Sequence, residues 1–221
     1  MAQSHNNFSY PVMLKLQDKK CIIIGGGVVA ARKLATICEA GAQVTCIAPS
    51  FAPELLATAQ QFSCTLIQTV YQPDQLKDAF IVVAATDSFE VNRAITKAAP
   101  CLCNNITEPH LSNFTVPSSI SIGTITVTIA TGGIPGYTRL LRKYLQTKLN
   151  PTFGQFNDYL LTQRKAVKEI ASTPEERTAF WRQVLNENLL QLLENENIEQ
   201  AKEQIQNAVD SFRTQSQNGT R

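Results

Sequence analysis

The stretch "KCIIIGGGVVAARK", Lys20 to Lys33, places a run of apolar residues directly before three glycines. The run "KCIII" is typical of a buried strand, and the residues after the glycines predict a helix from Val28 to Ala40. Gly41 ends that helix, because glycine best tolerates the left-handed backbone that closes many helices. A strand, a patch of bare backbone and a helix start therefore follow one another without a spacer.

The glycines fit a phosphate-binding pattern. Gly25-x-Gly27-x-x-Ala30 matches G-x-G-x-x-G/A, in which the first glycine allows the tight turn and the second lets a pyrophosphate approach the backbone. The third small residue lets helix and strand pack closely, while the helix N-terminus offers free N–H groups to phosphate oxygens. Because the motif follows a strand and opens a helix, we predict dinucleotide binding; a flavodoxin-like domain without dinucleotide is the alternative.

The rest of the first half alternates strands with helices. Strand patterns occur in "QVTCIA", "CTLIQTV", "AFIVVAA" and "CLCN", and helical patterns occur over Pro53–Gln61 and Ser88–Ala98. Strands separated by helices at this spacing indicate βαβ units and a parallel sheet. The fold class that we predict is α/β, with a Rossmann-type parallel sheet in residues 1–113.

The pattern changes after residue 113. Residues 114–130 contain two β-rich pieces with no helix between them, which predicts a hairpin outside the parallel sheet. The helical pattern "YTRLLRKYLQTKL" follows and places Leu141, Leu145 and Leu149 on one face. From Phe153 onward the chain is helical and polar. We therefore predict a small β-rich and helical region at 114–150 and a helical C-terminal domain at 151–221.

Composition argues against several classes of protein. A hydrophobic share of 43% and a charged share of 17% are ordinary for a globular chain, and a net charge of +2 without a basic stripe argues against nucleic-acid binding. No positively charged leader precedes an apolar run, and no segment approaches the roughly 18 apolar residues of a membrane span. The six cysteines lie mostly in apolar patterns. We expect a cytoplasmic protein with no membrane association and no metal site.

The end of the second strand departs from the usual dinucleotide pattern. An acidic residue about 20 positions after the glycines normally binds the adenine ribose, but "CIAPS" offers only Ala48, Pro49 and Ser50 there. The ribose contact must then come from backbone or from Ser50. No Arg or Lys lies between Gln43 and Gln60 to bind a 2′-phosphate, which favours NAD over NADP.

The fourth strand ends in "VVAATDSFEVN", Val82 to Asn92, where open α/β sheets place ligand contacts. Thr86 and Asp87 are the candidate cofactor residues there. Asp87-x-x-Glu90 also has the spacing of a helix capping box. Two interpretations stay open for Asp87: a helix cap alone, or a cap that also contacts the cofactor.

These pieces together resemble the precorrin-2 dehydrogenase/sirohydrochlorin chelatase family, the N-terminal region of sirohaem synthase, which also occurs as a stand-alone protein. The matching stretches are "YPVMLKLQDKKCIIIGGGVVAARK", "EAGAQVTCIAP", "VVAATDSFEVN", "CNNITEPHLSNFTVPSSI" and "TIATGGIPGYTRLLRKYL". They follow the family's order over nearly all of Tyr10 to Leu149, whereas the rest of the chain matches only as a helical tail.

The resemblance implies NAD-dependent oxidation of precorrin-2 to sirohydrochlorin by a homodimer with a Rossmann domain, a central dimerisation region and a helical C-terminal domain. Dimerisation would fall in residues 114–150. The family also lacks the acidic residue after the second strand. The cofactor contacts that the resemblance implies are Val28, Val29, Pro49, Ser50 and the surroundings of Thr86.

The position that the resemblance makes catalytic differs in this chain. Bifunctional members have an aspartate just after the fifth strand, in a pattern like N-x-x-D-x-P, whereas this chain has Thr107 in that slot and Glu108 beside it. Threonine cannot act as an ionised base at neutral pH. Three alternatives remain: Glu108 substitutes after a small loop shift, His110 takes the role, or the proton leaves to water without a protein base.

The substrate that the resemblance implies is a polycarboxylate, so its site should be cationic. Arginine forms paired hydrogen bonds with carboxylates, and residues three or four apart share a helix face. The candidates for substrate binding are Thr131, Gly132, Gly133, Arg139, Arg142 and Lys143.

Two other functions stay open beside the dehydrogenase. Some family members also insert ferrous iron into sirohydrochlorin, which requires a base and a place for the iron. A non-catalytic sensor with the same fold would bind NAD and no tetrapyrrole.

Overall fold

The structure of the protein is a computed structural model that describes residues 9–218. Residues 1–8, to which part of the leader prediction applies, and residues 219–221 lie outside the described residues. The chain divides into two compact units, one that ends at Val116 and one that begins at Pro117. This boundary falls close to the predicted limit after residue 113, and the separation of 114–150 from 151–221 stays a prediction. In the described part of the chain, no helix is both long enough and apolar enough to cross a membrane.

The first unit contains a parallel sheet with helices between its strands, as the sequence pattern predicts. Its elements are β1 (Lys20–Ile24), α1 (Val28–Glu39), β2 (Gln43–Ala48), α2 (Pro53–Phe62), β3 (Thr65–Gln68), a 3-10 helix (Pro73–Leu76), β4 (Ile81–Ala84), α3 (Phe89–Ala98), β5 (Leu102–Asn105) and a second 3-10 helix (Pro109–Leu111). The strand order is β3-β2-β1-β4-β5 and all pairs are parallel. The chain therefore adds β2 and β3 on one side of β1 and β4 and β5 on the other, so the strand order reverses beside β1. Open α/β sheets bind ligands at the carboxyl ends of the strands next to such a reversal.

Both faces of this sheet are buried, which explains why its inner strands are almost uninterrupted apolar runs. In β1, Cys21 and Ile23 face a cluster that includes residues of α1 and α2, whereas Ile22 and Ile24 face a cluster that includes residues of α3. All four side chains are at most 2% exposed. The apolar run in β1 is thus divided between two cores.

The second unit combines a hairpin with five helices among the described residues. Its elements are β6 (Ser118–Ile122), β7 (Ile125–Ile129), α4 (Pro135–Lys148), α5 (Pro151–Ile170), α6 (Pro174–Val184), α7 (Glu187–Glu194) and α8 (Ile198–Asn218). The strands β6 and β7 pair antiparallel, which confirms the predicted hairpin. The predicted leucine stripe, Leu141 and Leu145 of α4 with Leu149 directly after it, packs against the buried isoleucines of that hairpin.

The hairpin turn approaches α5 closely at one glycine. A Cβ atom at Gly154, in the first turn of α5, would lie 2.7 Å from the carbonyl oxygen of Ile122 and 3.0 Å from the nitrogen of Gly123. Side chains of α5, α6, α7 and α8 form a separate core that includes Phe156, Phe180 and Ile205. The fold class is therefore α/β with a five-stranded parallel sheet, a small antiparallel hairpin and a helical C-terminal region.

Candidate functional site

The three glycines between β1 and α1 differ in their surroundings. Gly25 has φ +136°, and a Cβ atom there would lie 2.2 Å from the carbonyl oxygen of Ala85. A Cβ atom at Gly26 would lie 1.9 Å from the carbonyl oxygen of Ser50. At Gly27 a Cβ atom would meet no atom of residues 9–218 within 4 Å. The first two glycines thus allow the turn to lie against the loops after β4 and β2, whereas Gly27 borders open space.

The helix α1 begins directly beside this open space. Gly27 is its N-cap residue and provides no side chain to satisfy the free N–H groups of the first turn, which also contains no acidic residue. Val28 and Val29 in this turn are 41% and 46% exposed, whereas Ala30 is fully buried against the sheet. Within the described residues, the helix N-terminus therefore presents N–H donors that no side chain caps, together with exposed apolar groups. An anion is favourable at such a position.

A backbone hydrogen bond connects the loop after β2 to the glycine turn. The N–H of Ala52 donates to the carbonyl of Gly26 at 2.8 Å, and Gln68 Nε2 donates to the carbonyl of Pro49 at 3.1 Å. Pro49 and Ser50 are both exposed. These two predicted cofactor contacts therefore lie on a loop that adjoins the glycine turn.

Thr86 follows β4 and is held by a buried asparagine of α3. Its hydroxyl lies 2.8 Å from Asn92 Oδ1, its N–H donates to the same oxygen at 3.1 Å, and its carbonyl accepts from Asn92 Nδ2 at 2.9 Å. Asp87 is exposed and does not cap α3. The prediction of a capping box at Asp87 is wrong, because Ser88 is the N-cap and its Oγ accepts from the N–H of Val91 at 3.3 Å.

Thr107 follows β5 and belongs to the same hydrogen-bond network. Its Oγ1 accepts from Asn92 Nδ2 at 3.1 Å and donates to Asn105 Oδ1 at 2.9 Å. Asn105 is fully buried, and its Oδ1 also accepts from the N–H groups of Thr107 and Glu108, each at 3.0 Å. The ends of β4 and β5 are therefore tied together through two buried amides.

Glu108 forms an ion pair with an arginine of α3. Arg93 Nε lies 2.6 Å from one carboxylate oxygen of Glu108 and Arg93 Nη2 lies 2.7 Å from the other. The Glu108 side chain is 11% exposed. Hydrogen bonding and charge from Arg93 lower the pKa of this carboxyl, and they outweigh the opposing effect of desolvation. His110, in the following 3-10 helix, is exposed.

The predicted substrate residues all belong to the second unit. Thr131 Oγ1 lies within hydrogen-bond distance of the Thr138 hydroxyl and of the carbonyl of Ile134. Gly132 and Gly133 have φ +63° and +100°, and neither has an atom within 4 Å of the Cβ position. These two glycines are required for backbone conformation, since crowding does not explain them.

The predicted cationic residues lie on α4. Arg139, Arg142 and Lys143 are all exposed, and none of them takes part in an ion pair within residues 9–218. The exposed apolar side chains of Leu140 and Tyr144 lie on the same helix. This helix therefore presents basic and apolar groups to its surroundings.

The structure brings the predicted cofactor residues of the first unit to one edge of its sheet. Gly25 and Gly27, Pro49 and Ser50, and Thr86 follow the carboxyl ends of β1, β2 and β4 respectively. The sequence analysis did not identify Gly26, Asn92, Arg93 and Asn105. Of these, Gly26 gives a signal in the triple glycine, and Asn92 gives one as a polar residue three positions before the buried Ile95 of α3.

Comparison with known protein families matches two parts of the chain. A family of NAD(P)-binding domains matches residues 12–118. A family described as the sirohaem synthase dimerisation region matches residues 152–209. Together the two matches cover most of the chain, in the order in which the two units occur.

Curated relatives of the chain are named sirohaem synthases. The chain is 35% identical to one from Methylobacillus flagellatus over 178 residues, 79% of this chain and 38% of that protein. It is 38% identical to one from Nitrosospira multiformis over 183 residues, 79% of this chain and 39% of that protein. For sirohaem synthase 1 of Yersinia pestis the identity is 34% over 202 residues, 89% of this chain and 43% of that protein. The chain thus spans about two fifths of the length of these relatives.

A solved structure has a similar fold. The structure described as SirC, precorrin-2 dehydrogenase, superposes with a TM-score of 0.71 over 88% of this chain and 99% of that chain, at 20% identity. At this identity the likeness supports the fold alone.

Proposed function

The chain belongs to the family of the sirohaem synthase N-terminal module, and on that premise we propose that it oxidises precorrin-2 to sirohydrochlorin with NAD. This module is the precorrin-2 dehydrogenase/chelatase module, with an NAD-binding part and a dimerisation part. The single observation that carries it is the open space beside Gly27 at the N-terminus of α1.

The residues at this edge fit a dinucleotide. A pyrophosphate needs bare backbone and free N–H groups, and both are found at Gly27 and the first turn of α1. The exposed side chains of Val28 and Val29 offer apolar contacts to the rest of the cofactor. NAD is favoured over NADP because the loop after β2 has no Arg or Lys to pair with a 2′-phosphate.

The oxidation removes a hydride and a proton from precorrin-2. NAD, when bound, supplies the acceptor for the hydride. The chain then has to bind the two reactants, orient them and allow the proton to leave. Positioning of this kind can supply a large part of a rate enhancement.

We propose that neither Thr107 nor Glu108 accepts the proton. The Thr107 hydroxyl already donates its proton to Asn105 Oδ1. The pKa of Glu108 is lowered by Arg93, which makes its carboxylate a weaker base, and the ion pair opposes the loop shift that would free it. Water or His110 remains as the acceptor.

Substrate binding is assigned to α4 and the loop before it. Precorrin-2 is a polycarboxylate, and Arg139, Arg142 and Lys143 are exposed cations that no carboxylate of the described residues neutralises. Thr131, Gly132 and Gly133 lie in the loop that precedes this helix. We propose that these residues bind the carboxylates of the substrate.

We also propose a homodimer in the cytoplasm. The family match at 152–209 carries the dimerisation description, while the predicted dimerisation segment at 114–150 stays a prediction. The six cysteines are free thiols, and unpaired thiols are typical of a reducing compartment.

The test is anaerobic turnover of precorrin-2 with and without NAD. Formation of sirohydrochlorin that requires both the protein and NAD supports the dehydrogenase. NADH binding without any conversion of precorrin-2 would instead favour the sensor. The chelatase alternative is tested by adding ferrous iron to sirohydrochlorin with and without the protein. A chelatase must insert iron faster than the reaction without protein does.

A further inference from the structure

Asn92 uses its whole hydrogen-bonding capacity inside the first unit. It is fully buried in α3. Its Oδ1 accepts from the N–H of Thr86 at 3.1 Å and lies 2.8 Å from the Thr86 hydroxyl, and its Nδ2 donates to the Thr86 carbonyl at 2.9 Å and to Thr107 Oγ1 at 3.1 Å. The orientation of the amide is determined, because a backbone N–H can only donate and a backbone carbonyl can only accept.

Thr107 has one acceptor site left after these bonds. Its proton goes to Asn105 Oδ1, which must be the oxygen of that amide because it also accepts two backbone N–H groups. One lone pair of the Thr107 oxygen accepts from Asn92 Nδ2. A hydroxyl oxygen has two lone pairs, so one has no donor among residues 9–218 and remains for a ligand that donates a hydrogen bond.

The part of the chain that Asn92 holds is the part that contacts the glycine turn. A Cβ atom at Gly25 would lie 2.2 Å from the carbonyl oxygen of Ala85 and 3.2 Å from the nitrogen of Thr86. The Thr86 backbone is bound to Asn92 at both its N–H and its carbonyl. Movement of Asn92 would therefore displace the backbone of Ala85 and Thr86, against which the glycine turn lies.

We infer that Asn92 is a positioning residue of the dinucleotide site, which holds Thr86 beside the glycine turn and the Thr107 hydroxyl as an acceptor. The inference rests on the proposed function. Asn92 has no exposed surface, so it acts through Thr86 and Thr107 and does not touch the cofactor. A purely structural asparagine in this place would affect stability alone.

The test compares Asn92→Asp with Asn113→Asp, the same substitution at an exposed asparagine away from the dinucleotide edge. The change at Asn92 keeps the shape of the side chain and removes the two N–H donors. Asn113 has the same kind of bonds at the opposite end of β5: its Nδ2 donates to the carbonyl of Cys101 at 3.0 Å and its Oδ1 accepts from the N–H of Cys103 at 2.8 Å. The readout is the Kd for NADH from fluorescence titration, well below the unfolding temperature of each variant.

We expect Asn92→Asp to bind NADH about tenfold more weakly than wild type, because buried acceptors lose their donors and Thr86 shifts. Asn113→Asp should bind as wild type does. If Asn92→Asp does not fold, Asn92→Ser serves in its place, since it leaves a hydroxyl and room for a water molecule.

The outcomes separate this inference from the proposed function. Unchanged NADH affinity in a folded Asn92 variant, whatever its unfolding temperature, would overturn the positioning role alone. A tenfold loss in Asn113→Asp as well would also overturn it, because the effect would then not be specific to the dinucleotide edge. Absence of NADH binding to wild type would overturn both the inference and the proposed function.

Discussion

Gly25, Gly26 and Gly27 are adjacent in sequence, yet each lacks a side chain for a different physical reason. Gly25 combines a left-handed φ with close approach to Ala85, and Gly26 lies against the carbonyl of Ser50. Only Gly27 borders open space. The fingerprint in the sequence identifies Gly25 and Gly27 as a pair, but it does not distinguish the two glycines that lie against backbone from the one that borders open space.

Alanine substitutions should separate these roles. We expect Gly26→Ala to lower the free energy of unfolding by about 1–3 kcal/mol, because the backbone of the loop after β2 must move away from the new Cβ atom. Gly27→Ala should cost less than about 1 kcal/mol, since its φ of −87° is ordinary for alanine. It should nevertheless weaken NADH binding at least about tenfold, because the methyl group occupies the open space.

Thermal unfolding and NADH titration of the two variants check this prediction. If Gly27→Ala is well folded and binds NADH with wild-type affinity, the cofactor does not bind at this turn.

The pairing of Glu108 with Arg93 has a consequence for pH and for catalysis. The folded pKa of Glu108 is lowered, so the pair stabilises the protein above the unfolded pKa of a glutamate, about 4.3, and this stabilisation is lost as pH falls through the folded value. Glu108→Gln should therefore lower Tm at neutral pH, and the difference from wild type should shrink below about pH 4. At neutral pH we expect turnover within about threefold of wild type.

Tm against pH for both proteins, together with turnover at neutral pH, tests this account of Glu108. A loss of turnover of about a hundredfold or more would identify Glu108 as the proton acceptor after all.

Single residues also show where sequence reasoning stops. The family resemblance pointed to the slot after β5. It did not reveal the partners of Thr107 and Glu108, because Asn92 and Arg93 lie on α3, a different element. The capping role was assigned to Asp87 on spacing, whereas Ser88 performs it. Aspartate and serine are both common N-cap residues, and the spacing to Glu90 does not decide between Asp87 and Ser88.

At the scale of elements, the apolar runs predicted the sheet well. The stretches "KCIII" and "QVTCIA" coincide with β1 and β2, because a parallel sheet covered on both faces needs continuous apolar strands. The third strand is shorter than its pattern and is mostly exposed, since it lies at the edge of the sheet. The 3-10 helix at Pro73–Leu76 was not predicted, because so short an element has no periodicity to recognise.

The contact between α5 and the hairpin is an element-scale feature that mutation can test. Gly154→Ala should lower the free energy of unfolding by about 1–3 kcal/mol, because the new Cβ atom would meet the backbone of Ile122 and Gly123. Gly136→Ala is the matched control in the first turn of α4, where nothing lies within 4 Å. It should be neutral or stabilise by up to about 1 kcal/mol through helix propensity.

Chemical denaturation of the two variants measures this difference. Equal stability of Gly154→Ala and Gly136→Ala would show that the hairpin turn can retreat from α5 without cost.

At the scale of the whole molecule, the two family matches follow one another in the order of the two units. An NAD(P)-binding part is followed by a part with the dimerisation description. Charge and composition could not indicate an oligomer, because a buried face between copies has the same kind of residues as a core. The sequence analysis placed dimerisation in 114–150 and not in 151–221, and that division stays a prediction.

Light scattering tests the oligomeric state directly. We expect twice the subunit mass of 24.4 kDa, independent of the addition of NAD. A single subunit mass at micromolar protein concentration would contradict the homodimer.

The central claim is the NAD-dependent oxidation of precorrin-2, and its most direct test is anaerobic turnover followed by the absorbance of sirohydrochlorin. Enzymatically generated precorrin-2 is incubated with the protein and NAD, with NADP in its place, or with neither, and Gly27→Ala is run in parallel. We predict conversion with NAD, at least about tenfold slower conversion with NADP, and a marked loss of conversion in Gly27→Ala at subsaturating NAD. Conversion of precorrin-2 at the same rate with and without NAD, or none in its presence, would contradict the account.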